Sequence, residues 1–308
     1  MVPVKTHLGE QRIGGIDFRT LTLDLDDGTK IQALFRQSHH ARATCVHFSA
    51  FFEVPKVWST SPPEFRGYFH RAGMLGGSED FNWVFFCEPF GVRSNGTYYL
   101  GRSGDRSTEG LIDRMWESIG ASLDPSLPVI TMGSSMGGHA AIHFAAKWAA
   151  AGAIAVSPHL DLRRAACDGG RWDEIAWAVP TGDPTSELAE VDTQRLFVEG
   201  RPGAKTTRVV VQYALDDPGC VTDDVTRLQE FFGRPIWVDV RRTGGHTSDF
   251  APRDWWLGTI SAVLDGSPLS QREFERLSGK PGKAVGSRLM LWLRRAPFRA
   301  YAALKKRR

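Results

Sequence analysis

Cysteines are few in this sequence, and they are widely spaced. The four lie at Cys45, Cys87, Cys167 and Cys220, and no two of them form a C-x-x-C pair. Structural zinc sites need closely spaced ligands, and disulfide-stapled domains need more cysteines for their length. The sequence therefore predicts neither class, and the thiols are interpreted as buried or unreactive.

Long apolar runs are lacking as well. No stretch of roughly 18 consecutive apolar residues suggests a membrane-spanning helix, and residues 1–12 lack the apolar run of a secretory signal. With 42% hydrophobic and 24% charged residues, the composition is typical of a soluble globular protein. We therefore expect a cytoplasmic location.

Basic charge is concentrated at the end of the chain. Residues 281–308 carry nine Lys or Arg and no acid, whereas the whole chain has a formal net charge of +3, which leaves −6 for the rest (3 minus 9). Apolar residues are interleaved with these basic ones, a pattern typical of segments that lie on anionic membrane surfaces. The pattern predicts that the segment binds the inner face of the membrane. The alternative is that its apolar residues dock on the protein. The acidic remainder argues against a nucleic-acid partner.

Motifs for cofactors and metals are not found. The Gly- and Arg-containing segment 101–106 lacks the Gly-Lys-Ser/Thr ending of a phosphate-binding loop. His139, His143 and Lys147 recur every four residues, which is interpreted as the polar side of an amphipathic helix rather than as a metal site. No cofactor and no metal are therefore predicted.

Apolar periodicity predicts strands and helices in the first part of the chain. Asp26-Asp27-Gly28 marks a hairpin turn between two alternating segments. Two short apolar runs indicate buried strands, and a later segment has helical spacing. No element is predicted for residues 53–80. The hairpin strands are predicted at residues 16–25 and 31–35, the buried strands at 44–48 and 83–87, and the helix at 107–124.

The centre of the chain contains a strand, a turn and a helix in immediate succession. Residues 129–132 form a compact apolar strand, residues 133–138 read Gly-Ser-Ser-Met-Gly-Gly, and an Ala-rich helix follows up to about Gly152. Another strand at 153–156 completes a β-α-β unit, whose strands must be parallel. Two further strand-helix repeats are predicted, with strands at 208–213 and 236–240 and helices that start at Thr222 and near Pro252.

Residues 158–207 interrupt this alternation. The segment contains Trp172, Trp177, several prolines and many charged residues. We interpret it as an insertion that covers the sheet as a lid.

The turn at residues 133–138 matches the pattern G-x-S-x-G, with Ser135 at its centre. A nucleophilic serine in this pattern sits on a strained strand-to-helix turn, and its small neighbours let adjoining backbones approach closely. The N–H of Met136 at the start of the helix is predicted to stabilise an oxyanion. A second donor is expected after the strand at 44–48, from the backbone of Ala50 or Phe51.

A serine nucleophile needs an imidazole that accepts its proton and a carboxylate that orients the imidazole. His246 follows the last predicted strand in a Gly-Gly-His loop and is the only one of nine histidines in that context. Asp216 and Asp217 follow the preceding strand, at the same edge of the predicted sheet. Asp217 is the predicted acid, and Asp216 is the alternative.

The order of these residues resembles that of the α/β-hydrolase superfamily. Ser135, Asp217 and His246 match its nucleophile elbow, acid loop and histidine loop, over roughly residues 13–265. Tyr98-Tyr99-Leu100-Gly101, followed by the run Gly-Ser-Ser-Met-Gly-Gly-His-Ala-Ala, is also similar to hydrolase-like proteins of bacterial capsule or surface-polysaccharide biosynthesis. The resemblance implies an α/β fold with a mostly parallel central sheet flanked by helices.

We therefore predict an α/β-hydrolase domain at residues 1–275, with a lid at 158–207, and a basic amphipathic tail at 276–308. The predicted function is hydrolysis of an acyl ester, on a small molecule or a glycan, through a Ser-His-Asp triad and an acyl-enzyme. Three alternatives are retained. The first is an acyltransferase that uses the same triad, and the second is an inactive scaffold recruited by its tail to a membrane or polysaccharide assembly. The third is a thioesterase or peptidase with the same triad, since specificity is set by the shape of the pocket.

Overall fold

The computed structural model describes residues 3–51, 69, 71–90, 96–101, 107–167, 170–179, 182–184, 205–220 and 222–280. Residues 281–308 of the tail predicted at 276–308, and residues 185–204 of the predicted lid, lie outside these residues. Among the described residues, no helix combines the length and the apolar character needed to cross a bilayer.

Within the described residues, the chain forms nine strands that join in a single sheet. Across the sheet their order is β1-β2-β3-β5-β4-β6-β7-β8-β9. The pairs from β1 to β5 are antiparallel, and all pairs from β5–β4 to β8–β9 are parallel. The predicted α/β class with a mostly parallel sheet is therefore confirmed. In chain order the strands are β1 (Pro3–Ile13), β2 (Ile16–Leu25), β3 (Lys30–Arg36), β4 (Thr44–Phe48), β5 (Asn82–Phe86), β6 (Val129–Ser134), β7 (Gly152–Val156), β8 (Arg208–Ala214) and β9 (Trp237–Arg241).

The predicted hairpin connects β2 and β3. The two strands pair antiparallel as far as Asp24 opposite Lys30. The turn is closed by a hydrogen bond of 3.0 Å from the Gly28 N–H to the Leu25 carbonyl, and Gly28 has φ +80°. Glycine adopts this conformation without steric penalty, which explains why the Asp-Asp-Gly sequence turns here.

The helices of the described residues cover both faces of the sheet. One face packs against α2, α3 and α6, and the other packs against α1, α7 and α8. Because both faces are covered, β4, β5 and β7 are buried at every position, as their continuous apolar sequences predict. In chain order the helices are α1 (Ala72–Leu75), α2 (Ser107–Gly120), α3 (Met136–Trp148), α4 (Leu162–Cys167), α5 (Trp172–Ala178), α6 (Thr222–Phe232), α7 (Arg253–Asp265) and α8 (Gln271–Ser278).

The predicted elements differ from the observed ones mainly at their ends. The helix predicted up to residue 124 ends at Gly120, and the helix after the central turn ends at Trp148 instead of near Gly152. Strand β1 has no predicted counterpart, because its residues lack apolar alternation. Helices α1, α4 and α5 are also additional, and α4 and α5 lie in the segment interpreted as a lid.

Helix α8 extends the folded domain beyond the boundary predicted after residue 275. Its Phe274 is fully buried. The buried Arg241 of β9 donates hydrogen bonds to the carbonyl oxygens of Phe274 (3.3 Å) and Lys280 (2.8 Å), and it pairs with the buried carboxylate of Asp239. A buried guanidinium requires such partners, and α8 and the residue Lys280 beyond it supply part of them. The domain therefore runs to at least Lys280.

Glycines allow the turn after β6 to pack directly on β4. A Cβ at Gly133 would overlap the backbone of Gly137, and a Cβ at Gly137 would overlap the carbonyl oxygen of Phe48. The backbones of α3 and β4 therefore touch without an intervening side chain. This contact fixes the position of the turn relative to the carboxyl end of β4.

We expect Gly137→Ala to destabilise the protein by roughly 1–3 kcal/mol, because the added methyl group meets backbone atoms that cannot move aside easily. Gly110→Ala is the matched control, since Gly110 lies inside α2 and no described atom would lie within 4 Å of its Cβ. The control should stabilise the protein by roughly 0.5–1 kcal/mol. Urea denaturation measures both changes, and equal stability of the two variants would contradict the close contact.

Candidate active site

Ser135 lies at the junction between β6 and α3. Its backbone has φ 53° and ψ −120°, and a positive φ is strained for a residue that has a Cβ. The turn is held by hydrogen bonds from the Ser135 N–H to the Val156 carbonyl (2.9 Å) and from the His139 N–H to the Ser135 carbonyl (3.1 Å). This strained strand-to-helix turn is the one that the pattern G-x-S-x-G predicts.

His246 lies in the loop that follows β9. Gly244 (φ 144°) and Gly245 (φ 61°) turn the chain back towards the end of the sheet. The loop is tied to the residue after β7 by a hydrogen bond of 2.9 Å from the Ser157 hydroxyl to the Thr247 carbonyl. The Nε2 atom of His246 lies 2.8 Å from the hydroxyl of Ser135, the predicted nucleophile.

The carboxylate of Asp217 lies on the opposite side of the His246 imidazole. Its two oxygens are 3.1 and 3.2 Å from Nδ1, and it also accepts a hydrogen bond of 2.8 Å from the Gly219 N–H. When Nδ1–H donates to this carboxylate, the lone pair of Nε2 faces the Ser135 hydroxyl, which can then donate to it. The structure thus brings Ser135, His246 and Asp217 into one hydrogen-bonded series.

The neighbouring Asp216 makes different contacts. Its carboxylate accepts hydrogen bonds from the Gly244 N–H (3.2 Å) and the Gly245 N–H (2.8 Å). The two adjacent acids therefore hold different parts of one loop: Asp217 contacts the imidazole of His246, and Asp216 contacts the backbone that precedes it.

The candidate oxyanion donors come from two adjoining segments. Met136 is the first residue of α3, where helical N–H groups lack intrahelical acceptors. Phe48 is the last residue of β4, and its carbonyl packs against Gly137 of the turn. Ala50 and Phe51 follow two and three residues later, so both start from the strand end that touches the turn.

One residue at the site, His159, belongs to no recognised motif. It follows β7 at the carboxyl edge of the sheet, and its ring stacks on the His246 imidazole with centroids 4.3 Å apart and an interplanar angle of 14°. Burial lowers the pKa of His159 well below its usual value, and the neighbouring His246 lowers it further. The ring is therefore neutral at pH 7. Its place shortly after a buried strand is the one sequence signal that points to the site.

The polar side of α3 packs against other parts of the protein. Burial lowers the pKa of His139 to about 3, and its Nδ1 lies 3.0 Å from the His159 carbonyl. His143 and Lys147 both pair with Glu109 of α2. Among the described residues, no three His, Cys, Asp or Glu side chains are grouped so as to hold a metal ion.

No protein-family model matches the sequence, and no curated protein sequence matches it either. Solved structures do resemble the chain. The capsule O-acetyltransferase of Neisseria meningitidis serogroup A matches with a TM-score of 0.57 and 16% identity, over 83% of this chain and 96% of that chain. The acetyl xylan esterase of Paenibacillus sp. R4 matches with a TM-score of 0.56 and 15% identity, over 86% of this chain and 89% of that chain.

A fluorophosphonate-binding serine hydrolase of Staphylococcus aureus matches with a TM-score of 0.52 and 12% identity, over 82% of this chain and 98% of that chain. Identities this low establish similarity of fold. The expected topology is also present, since a mostly parallel sheet carries helices on both faces and the strand-turn-helix at Ser135 lies at its carboxyl edge. The topology and the structural matches together show that the chain has the α/β-hydrolase fold.

Proposed function

We propose that this chain is a serine enzyme that cleaves acyl esters through an acyl-enzyme on Ser135. The observation that carries the proposal is the hydrogen-bonded series from Asp217 through His246 to Ser135, with distances of 3.1 and 2.8 Å. In such a series the imidazole accepts the serine proton and the carboxylate orients the imidazole. An inactive scaffold does not require this geometry, so the geometry favours an enzyme.

In the first half-reaction, the Ser135 oxygen attacks the carbonyl carbon of the ester while its proton passes to Nε2 of His246. The negative charge of Asp217 stabilises the imidazolium that results. The tetrahedral intermediate then expels the alcohol, which takes the proton back from His246. The acyl group remains on Ser135.

We assign stabilisation of the oxyanion to the backbone N–H of Met136 together with that of Ala50 or Phe51. The Met136 N–H lies at the positive end of α3, and backbone donors need no reorganisation as charge develops. In the second half-reaction, His246 removes a proton from the acceptor as the acceptor attacks the acyl-enzyme. The bond from the acyl carbon to the Ser135 oxygen then breaks, and His246 returns the proton to that oxygen, which restores the starting state.

We propose a short acyl group on a carbohydrate as the substrate class. Two of the structural neighbours carry names that refer to acetyl groups and polysaccharides, the capsule O-acetyltransferase and the acetyl xylan esterase. Hydrolysis, with water as the acceptor, is the first candidate. Acyl transfer to a glycan hydroxyl is the second candidate, and the similarity of fold to the O-acetyltransferase supports it.

A fluorophosphonate probe should label the wild-type protein, because it reacts with a serine whose proton is removed by a neighbouring base. Ser135→Ala should abolish the label. Ser134→Ala is the matched control, since Ser134 is the adjacent serine and its buried hydroxyl lies 3.5 Å from a nitrogen of Arg71 instead of at His246. In-gel fluorescence measures labelling, and full labelling of Ser135→Ala would refute the assignment of the nucleophile.

Asp217→Asn and Asp216→Asn should separate the roles of the two acids. Asn at 217 cannot hold the imidazole in the required tautomer, so we expect the rate of p-nitrophenyl acetate hydrolysis to fall roughly 10³- to 10⁴-fold. The two glycine N–H groups bind different oxygens of Asp216, and Asn at 216 keeps one of these two acceptors. Because the imidazole itself keeps its contact with Asp217, we expect a loss of about tenfold or less. Steady-state kinetics measure both, and the reverse order would transfer the role of the acid to Asp216.

The acceptor can be identified from the products of p-nitrophenyl acetate turnover in the presence of deacetylated xylan. A hydrolase should release p-nitrophenol and free acetate in equal amounts. A transferase should release less acetate than p-nitrophenol and should leave O-acetyl groups on the polysaccharide, which mass spectrometry detects. Ser135→Ala should produce neither free acetate nor acetylated polysaccharide, and it should release no p-nitrophenol. Release of p-nitrophenol that survives this substitution would contradict both candidates.

A further inference from the structure

The His246 imidazole has little support from its own loop. It follows two glycines with positive φ, and its side chain is 27% exposed. Its two hydrogen bonds lie in the plane of the ring, at Nδ1 and Nε2. A contact on the face of the ring is therefore needed to stop it from tilting away from Ser135.

His159 supplies that contact. Its ring lies nearly parallel to the His246 ring at 4.3 Å, and it is only 2% exposed. Gly219 makes room for it, because a Cβ at Gly219 would overlap Cδ2 of His159. Since the N–H of Gly219 also binds the Asp217 carboxylate, His159 packs against both the acid loop and the histidine loop.

A second buried side chain holds His159 in turn. The Tyr98 hydroxyl lies 2.6 Å from Nδ1 of His159, and the Tyr98 and His139 rings are perpendicular, with centroids 5.8 Å apart. Tyr98 and Tyr99 both have positive φ, at 56° and 61°. Two consecutive left-handed residues with bulky side chains are costly, and such strain is found where a side chain is held for function.

The charge of His159 affects how it can stack on His246. The Tyr98 hydroxyl can donate to Nδ1 of a neutral His159 imidazole. Burial lowers the pKa of His159 and raises that of Tyr98, so both remain uncharged. A neutral ring can lie against His246 without opposing the positive charge that His246 gains when it takes the Ser135 proton.

We propose that His159, held by the Tyr98 hydroxyl, is a positioning residue that keeps the His246 imidazole aligned with Ser135. The inference rests on the function proposed for Ser135 and His246 but concerns two residues outside the triad. A small misalignment of a catalytic base lowers the rate of reaction strongly without changing which residues are present.

The test compares three variants with one control. His159→Leu removes the flat ring, His159→Phe keeps a flat ring without the acceptor, and Tyr98→Phe keeps the histidine without its donor. His143→Leu is the control, because His143 is another largely buried histidine that pairs with Glu109 away from His246. Thermal melting establishes that each variant is folded.

Two measurements are made on each variant: the rate of fluorophosphonate labelling, and the low-field proton signal of the His246 Nδ1–H in the NMR spectrum. We expect His159→Leu to be labelled roughly 10- to 100-fold more slowly and its low-field signal to broaden through exchange with water. His159→Phe should recover most of the rate, Tyr98→Phe should lie between the two, and the control should match wild type.

An unchanged labelling rate and an unchanged low-field signal in folded His159→Leu would overturn the proposal. If that variant does not fold, Tyr98→Phe, which removes a single oxygen, decides by the same criteria. If wild type is not labelled at all, the proposed function fails. The NMR signal still decides the positioning role in that case, because loss of the signal in His159→Leu but not in the control would support it.

Discussion

The contact between the backbone of the turn after β6 and the end of β4 is the constraint on which the rest of the site depends. Gly133 and Gly137 leave no side chain between these segments, so the turn cannot move without breaking backbone packing. The strained conformation of Ser135 persists because this contact and the hydrogen bond to Val156 determine the chain on both sides of it. The energetic cost of the strain is borne by the surrounding sheet and helices.

The acid loop, which contains Asp216 and Asp217, and the histidine loop, which contains His246, bind each other directly through contacts that do not involve Ser135. Asp216 binds two backbone N–H groups of the histidine loop, and Asp217 binds the imidazole itself. The dipeptide lies in a turn closed by a hydrogen bond of 3.1 Å from the Asp217 N–H to the Ala214 carbonyl, and its two side chains reach different parts of the histidine loop. The shared anchoring explains how a loop that contains two glycines can still present an imidazole at a defined distance from the elbow.

The parts of the fold that could be predicted from the sequence are those governed by local patterns. Buried parallel strands appear as continuous apolar runs, and a strained turn requires small residues, so β4, β7 and the elbow at Ser135 were accessible to local reasoning. Which of Asp216 and Asp217 contacts His246 depends on the path of the loop. Either acid would give the chain order serine, acid, histidine, so the sequence pattern does not distinguish them. The stack of His159 on His246 joins residues from loops far apart in the chain, and no local rule predicts it. The docking of helix α8 depends on long-range contacts, namely the stack of Phe274 on Trp255 and the hydrogen bond from Arg241 to the Phe274 carbonyl. Only the start of the helix has a local signature, the capping box of Ser270 and Glu273.

The outermost strand of the sheet, β1, has consequences for how the protein behaves at high concentration. One side of β1 pairs with β2, and its other side has no neighbouring strand among the described residues. An unpaired strand edge is a template for association with another chain. Here the exposed residues include Lys5, Glu10 and Arg12, with the apolar Leu8 isolated among them. Charges of both signs along this edge disfavour continuation of the sheet into a second molecule, so the edge resists aggregation through its side chains.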